Sequence, residues 1–216
     1  MLTALFPATC VGCGLLLRGA APLPLCTACA PAAVPLAPEA RTIAGTTALF
    51  SYEGPLAAAI TRLKFAGDAA LAGPLARLLA DGVASSRALI DAGPWDLIVP
   101  IPLHPLRALA RGFDQVVLLT TWLRRTWPVG PPPQHRPRAL RRVRQTTPQT
   151  ALDGPARRRN LRGAFAARAP GALADRRVLL VDDVTTTGAT LEAGRAALLE
   201  AGAAAVTGLA LLRALP

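Results

Sequence analysis

An apolar run at Val178 to Val181, a hydroxyl-rich turn, a helical pattern from about Gly188 to Ala201 and a second apolar run, "AAVTGLALL", follow one another in the last third of the chain. Leu191 and Leu198 share one face of that helix. Strands that are apolar along their whole length must be buried on both sides, which is the pattern of a βαβ unit in a parallel sheet. The unit predicts an α/β domain in which ligands bind beyond the carboxyl ends of the strands.

The turn stands at such an end. "VLLVDDVTTTGAT", residues 178 to 190, sets Asp182 and Asp183 directly after the first strand and leads into a helix N-terminus. Backbone N–H groups and the helix dipole attract an anion there; Thr186, Thr187 and Thr190 add hydroxyl donors, and Gly188 lets the backbone approach closely. The carboxylates repel phosphate, so they call for a hydroxyl or a metal, and a sugar diol with a magnesium ion meets that need. The stretch therefore describes a phosphorylated ribose. Successive strand residues point to opposite faces, so one aspartate serves the ligand and the other the fold unless the chain is already turning; the sequence does not say which. A helix cap alone would use one such residue. A phospho-acceptor receiver would need several more strand and helix units than the 26 residues after Thr190 allow. Neither a G-x-x-x-x-G-K-[ST] nor a G-x-G-x-x-G motif is present.

At the other end, Cys10, Cys13, Cys26 and Cys29 are the chain's four cysteines, spaced C-x2-C-x12-C-x2-C. Two such knuckles present four thiolates tetrahedrally to Zn2+, and a segment this short needs a staple. Disulfides are the competing use, though nothing else suggests an oxidising compartment. With all four ligands from protein, the zinc would be structural. The proline-rich "APAAVPLAPEA" places a boundary near Ala40, giving a zinc-ribbon module with its linker over 1–40 and the α/β domain over 41–216.

Between these ends, "TTALFSYEG" reads as a strand running into a turn, and "PLAAAITRLKFAGD" as a helix with Pro55 in its first turn. A second helix covers Leu71 to Leu79 and beyond. Leu97 to Val99 form a short strand ending in a proline-braced loop, and "LRALARGFDQVVLLTTWLRR" reads as one helix through Trp122. Residues 127–142 are proline-rich and basic and read as a loop or an excursion; 144–165 are polar with three consecutive arginines and form a candidate mobile loop. His135 is expected in solvent, His104 structural or exposed, and Lys64 snorkelling from its helix.

With 52% hydrophobic residues the 216-residue chain can bury a core. No run reaches the roughly 18 apolar residues of a membrane span, and the start lacks the basic head of a secretory signal, so a cytoplasmic location is expected. The net charge of +11 is carried almost wholly by arginine, Lys64 being the single lysine. Arginine suits phosphate and carboxylate, but biased codon usage explains the same excess, so charge alone does not decide for nucleic acid.

"VLLVDDVTTTGAT" resembles the signature of type I phosphoribosyltransferases, which bind phosphoribosyl pyrophosphate (PRPP). Along nearly its whole length the chain resembles the ComF family, named for DNA uptake in natural competence. The paired knuckles, "LKFAGD", "VPIPLHPLRALARGFDQ", "RQTTPQ", "RRRNLRGAF" and the terminal signature carry this likeness. The resemblance implies that Asp182 and Asp183 hold the ribose hydroxyls with Mg2+, and that Thr185, Thr186, Thr187, Gly188, Ala189 and Thr190 cradle the 5′-phosphate. It implies a pyrophosphate loop with His104, Arg107 and Arg111, and a hood over 141–162 with Arg142, Arg144 and Gln145. It departs at Asp114, where the family favours asparagine; the carboxylate either faces the pyrophosphate or lies on a helix surface. The implied function is a Mg2+-dependent phosphoribosyltransferase-like protein associated with DNA uptake or nucleotide utilisation, whose acceptor and general base are unreadable. The alternative is a non-catalytic nucleic-acid-binding competence factor that keeps the phosphate cradle, with single-stranded DNA or competence proteins as partners. The scarcity of aromatics, 4% of residues, argues against a stacking platform for single strands.

Overall fold

The computed structural model describes residues 8–17, 24–143 and 163–215, without the side chains of residues 105–107. Eight strands occur among them: β1 (Thr42–Ile43), β2 (Thr46–Ser51), β3 (Leu97–Pro100), β4 (Gln134–His135), β5 (Leu140–Arg142), β6 (Phe165–Ala167), β7 (Arg177–Thr185) and β8 (Ala205–Arg213). Six of them form one sheet in the order β1-β2-β8-β7-β3-β4. All its pairings are parallel except the β1–β2 hairpin. β5 and β6 pair antiparallel as a separate small sheet.

The helices are α1 (Pro38–Arg41), α2 (Gly54–Thr61), α3 (Ala72–Ser85), α4 (Arg87–Ala92), α5 (Pro105–Arg111), α6 (Gln115–Arg125) and α7 (Ala189–Glu200). Alternation along β7 divides the core. Leu179 and Val181 face the cluster formed with α2, α3 and α6, whereas Val178 and Leu180 face Leu191 and Leu198 of α7. Helices thus cover both faces, and every residue from Val178 to Asp183 is buried. This mostly parallel sheet with helices on both sides is the architecture the sequence led us to expect.

The chain leaves β3 through α5 and α6 toward β4, and leaves β7 through α7 toward β8, on the opposite side. The carboxyl ends of β3 and β7 therefore flank a switch point, where departing connections open a crevice. Ile101 continues the contact, its N–H donating to the Val181 carbonyl at 2.8 Å.

Three sequence readings are corrected. The first strand of the terminal unit does not stop at Val181 but runs through both aspartates to Thr185, because Asp182, Val184 and Thr185 still pair with Ala210, Leu212 and Arg213 of β8. The single helix expected from Leu106 through Trp122 is two helices, the second running on to Arg125. Gly112, at φ 75°, ends α5, and Asp114 caps α6, its Oδ1 accepting from the N–H groups of Val116 and Val117. The basic stretch 127–142 holds β4 and β5, with Leu97 opposite Gln134 and Ile98 opposite His135.

The knuckles pack onto the main body. Cys10, Val11, Leu25 and Cys26 belong to the same apolar cluster as Leu56 and Ile60 of α2. A Cβ on Gly12 would stand 2.5 Å from that of Pro55, so only glycine permits this approach. The connector adds to the sheet edge as well: the Leu36 N–H donates to the Leu49 carbonyl and the Ser51 N–H to that of Val34.

Candidate functional site

The two aspartates sit at the switch point on opposite faces of β7. Asp183 faces α6, and each oxygen of its carboxylate has a partner. Lys64 Nζ approaches Oδ1 at 2.9 Å, and Gln115 Nε2 donates to Oδ2 at 3.0 Å. Gln115 in turn accepts from Arg111 at 3.0 Å, and the Arg111 guanidinium lies 4.8 Å from the centre of the Phe65 ring. Asp182 faces the α7 side, and its Oδ1 accepts from the Asp183 N–H at 2.9 Å. Burial and the neighbouring Asp183 charge hold the Asp182 carboxyl well above the usual carboxylate range, against the opposing pull of Lys64 and the Asp183 N–H; Asp114 adds to the rise. A buried acid in that state gives up its proton most readily when a cation arrives.

After β7 the chain bends through Thr186 and Thr187 to Gly188, at φ 78°, and α7 begins at Ala189. A Cβ on Gly188 would come within 3.1 Å of the Ala44 Cβ and 3.3 Å of the Ile43 carbonyl, so the β1–β2 hairpin backs the turn. Thr185 is buried at the strand end; Thr186, Thr187 and Thr190 are half-buried. The first N–H groups of α7 have no acceptor within the helix and point into the same turn.

A cleft of about 750 Å³ is lined by Phe65, Ala66, Gly67, Ala110 and Phe113 together with Lys64 and Arg111, the two cations linked to Asp183 directly and through Gln115. One π-helical turn, Arg62–Ala66, shapes its wall, and Gly67 ends that turn at φ 69°. The extra residue of a π turn re-aims the side chains after it, a device frequent at functional sites. Phe65 consequently lies 73% exposed at the rim.

The structure brings Asp182, Asp183, the 185–190 turn and Arg111 to one end of the sheet. His104 stands at the start of α5, its carbonyl accepting from the Ala108 N–H. The Arg107 side chain, Arg144 and Gln145 lie outside the described residues. Arg142 ends β5, its guanidinium 5.6 Å from the centre of the Phe165 ring. Asp114 spends both oxygens on backbone, Oδ2 accepting from the Leu103 N–H at 2.9 Å. Lys64 does not snorkel to solvent: its side chain is 18% exposed and ends on Asp183. Nor is His135 a solvent residue. It is half-buried, its Nε2 lies 2.9 Å from the Thr120 hydroxyl, and burial together with Arg124 lowers its pKa. Sequence reasoning missed Gln115 and Phe65; an uncompensated pair of carboxylates was the one signal that a nearby cation had to exist.

The four cysteine sulfurs all lie within 4.8 Å of one another, and those of Cys13 and Cys26 are 3.7 Å apart. A tetrahedron with metal–sulfur bonds of about 2.3 Å has edges of about 3.8 Å, whereas a disulfide needs about 2.05 Å. The donor set fits one zinc-sized ion. Burial raises the Cys10 thiol, but hydrogen bonds from the backbone of Cys13, Cys26 and Gly12 outweigh it and bring it to about 6. Arg62 fastens this module to the π turn by donating to the carbonyls of Val11 and Gly12, both at 3.2 Å.

No protein-family model matches the chain. It is 36% identical over 159 residues to the DNA utilization protein YhgH of Escherichia coli (strain K12), a match covering 72% of this chain and 66% of that protein. The chain thus spans just under two thirds of that relative. To the Salmonella typhimurium protein of the same name it is 34% identical over 193 residues, covering 84% of this chain and 81% of the relative. To the Competence protein F of Haemophilus influenzae it is 36% identical over 141 residues, covering 65% and 60%. Among solved structures, a glutamine phosphoribosylpyrophosphate amidotransferase from B. subtilis aligns at 19% identity with a TM-score of 0.35, over 63% of this chain and 25% of that one. An allosteric regulatory enzyme of purine biosynthesis aligns at 17% identity with a TM-score of 0.38, over 66% and 26%.

Proposed function

The chain belongs to the ComF family of competence and DNA-utilisation proteins, and from that premise we propose that it binds PRPP, or a related ribose 5-phosphate ligand, together with Mg2+ in the manner of a phosphoribosyltransferase. The observation that carries the reading is the adjacency of two buried carboxylates to a glycine-broken turn at a helix N-terminus, at the switch point of a parallel sheet. Phosphate suits the turn, and a diol or a cation suits the carboxylates; a phosphorylated ribose offers both within one ligand.

In this reading the 185–190 turn takes the 5′-phosphate through N–H and hydroxyl donors. Asp182 meets the ribose hydroxyls, while Asp183, held by Lys64 and Gln115, fixes the angle at which the pair is presented. The cleft beside Lys64 and Arg111 receives the pyrophosphate end, where arginine and lysine balance its charge. Mg2+ supplies further positive charge to the leaving pyrophosphate. If transfer occurs, the chain contributes mainly positioning and electrostatic support to an oxocarbenium-like centre. In the cysteine module, Zn2+ serves a structural role.

Calorimetric titration of PRPP with and without Mg2+ tests the site. Saturable, Mg2+-dependent binding is expected, and Asp182→Asn with Asp183→Asn should weaken it at least about tenfold, equivalent to ~1.4 kcal/mol. Equal affinity in the double variant, with its fold intact by circular dichroism, overturns the assignment.

A further inference from the structure

The β4 edge of the sheet carries a second concentration of anion-seeking groups that the ribose-phosphate reading does not use. Two cavities meet there. One, of about 510 Å³, is lined by Thr121, Arg124, Arg125, Gln134, His135 and Arg136. The other, of about 360 Å³, adds Arg138 and Arg168 and shares His135 and Arg136 with the first. Five arginines thus line these two adjoining cavities, together a trough, and no aspartate or glutamate lines either among the described residues. All five are exposed.

The fold explains the clustering. β4 has two residues and ends the sheet; Arg124 and Arg125 come from the last turn of α6 on one face, Arg168 follows β6 on the other, and Arg136 and Arg138 follow β4 itself. Like charges so close repel one another, a cost that a polyanion would relieve. The Arg124 Nε–H is tied to the Pro133 carbonyl at 3.2 Å, and Arg136 donates to the Gln134 side chain at 3.0 Å, so two of the guanidinium groups are already oriented. His135 stands opposite Ile98, and Ile98 opposite Leu179, which is three residues before Asp182 and fixes the relation to the first site. One strand, β3, separates β4 from β7, which puts the two about 10 Å apart sideways, and β4 pairs several residues short of the carboxyl end of β7.

We propose that this trough binds the phosphodiester backbone of a nucleic acid, without reading its bases, at a site separate from both the PRPP cleft and the cysteine module. Spaced guanidinium groups along a groove match a run of phosphates, whereas a single small anion would leave most of them unneutralised.

Fluorescence anisotropy of labelled oligonucleotides, one single-stranded and one duplex, titrated with the full chain at several NaCl concentrations, provides the test. Expected is binding that weakens steeply with salt. Arg136→Ala, Arg138→Ala and Arg168→Ala combined should weaken it about tenfold or more and reduce the slope of log K against log salt by about 2 for a single strand, at ~0.7 per lost phosphate contact. The corresponding triple lysine variant should keep most of the affinity, and comparison of the two oligonucleotides shows which nucleic acid is preferred. All three residues are exposed, so the fold should survive, and unaltered PRPP titration and zinc content check it independently. Unchanged affinity and slope in the alanine variant overturn the proposal. So does binding to phosphatidylglycerol vesicles in place of either oligonucleotide.

Discussion

Asp182 and Asp183 are chemically identical and one residue apart, yet the strand gives them different partners. Asp183 is paired with Lys64; Asp182 is held above its usual range by burial and by Asp183. An acid whose folded pKa is raised keeps its proton in the native state after the unfolded chain has lost its own. Its contribution is fully present below the ordinary carboxylate range and is lost as pH rises through the raised value. The native fold should therefore lose melting temperature as pH climbs from about 4 upward. Asp182→Asn should flatten that decline and melt higher at pH 8, as thermal scans across pH will register; a parallel decline in the variant refutes the assignment. The pair itself was legible in the sequence because the two residues are neighbours. Lys64 and Gln115 were not, lying 119 and 68 positions from Asp183, and chain separation erases local pattern.

Within the helical pattern of residues 106–125, "RGFD" carries a break of its own. A glycine followed two residues later by aspartate is a helix stop and a helix start in succession, and the structure has both at Gly112 and Asp114. Continuous helical periodicity on either side hid the break. Asparagine and aspartate cap equally well, so the asparagine that the resemblance led us to expect would do the same task as Asp114. Asp114→Ala should cost about 1–2 kcal/mol in denaturant unfolding, from the lost cap and the stranded Leu103 N–H, while Asp114→Asn should stay close to the parent. β7 and α7 were readable because apolar runs and helical spacing are local; β4 was not, since a two-residue strand is defined only by the neighbour it pairs with.

Across the whole molecule, one five-residue turn joins the two ends of the chain. Arg62 grips the knuckle carbonyls, and Lys64, two residues on, grips Asp183. Loss of the metal should therefore be felt at the ligand site. Chelator treatment, or Cys10→Ser with Cys13→Ser, should release one zinc per chain, lower the melting temperature and weaken PRPP binding. Full PRPP affinity in a zinc-free, folded protein would show that the turn does not couple the two. The edge strand β4 carries a last consequence. An unpaired strand edge invites a strand from another chain, and proteins discourage this with short edges, charge and proline. Two residues framed by Pro133 and Pro137, with arginines on every side, leave a neighbouring copy no ladder to extend, so the charge at that border also keeps one molecule's sheet from growing into the next.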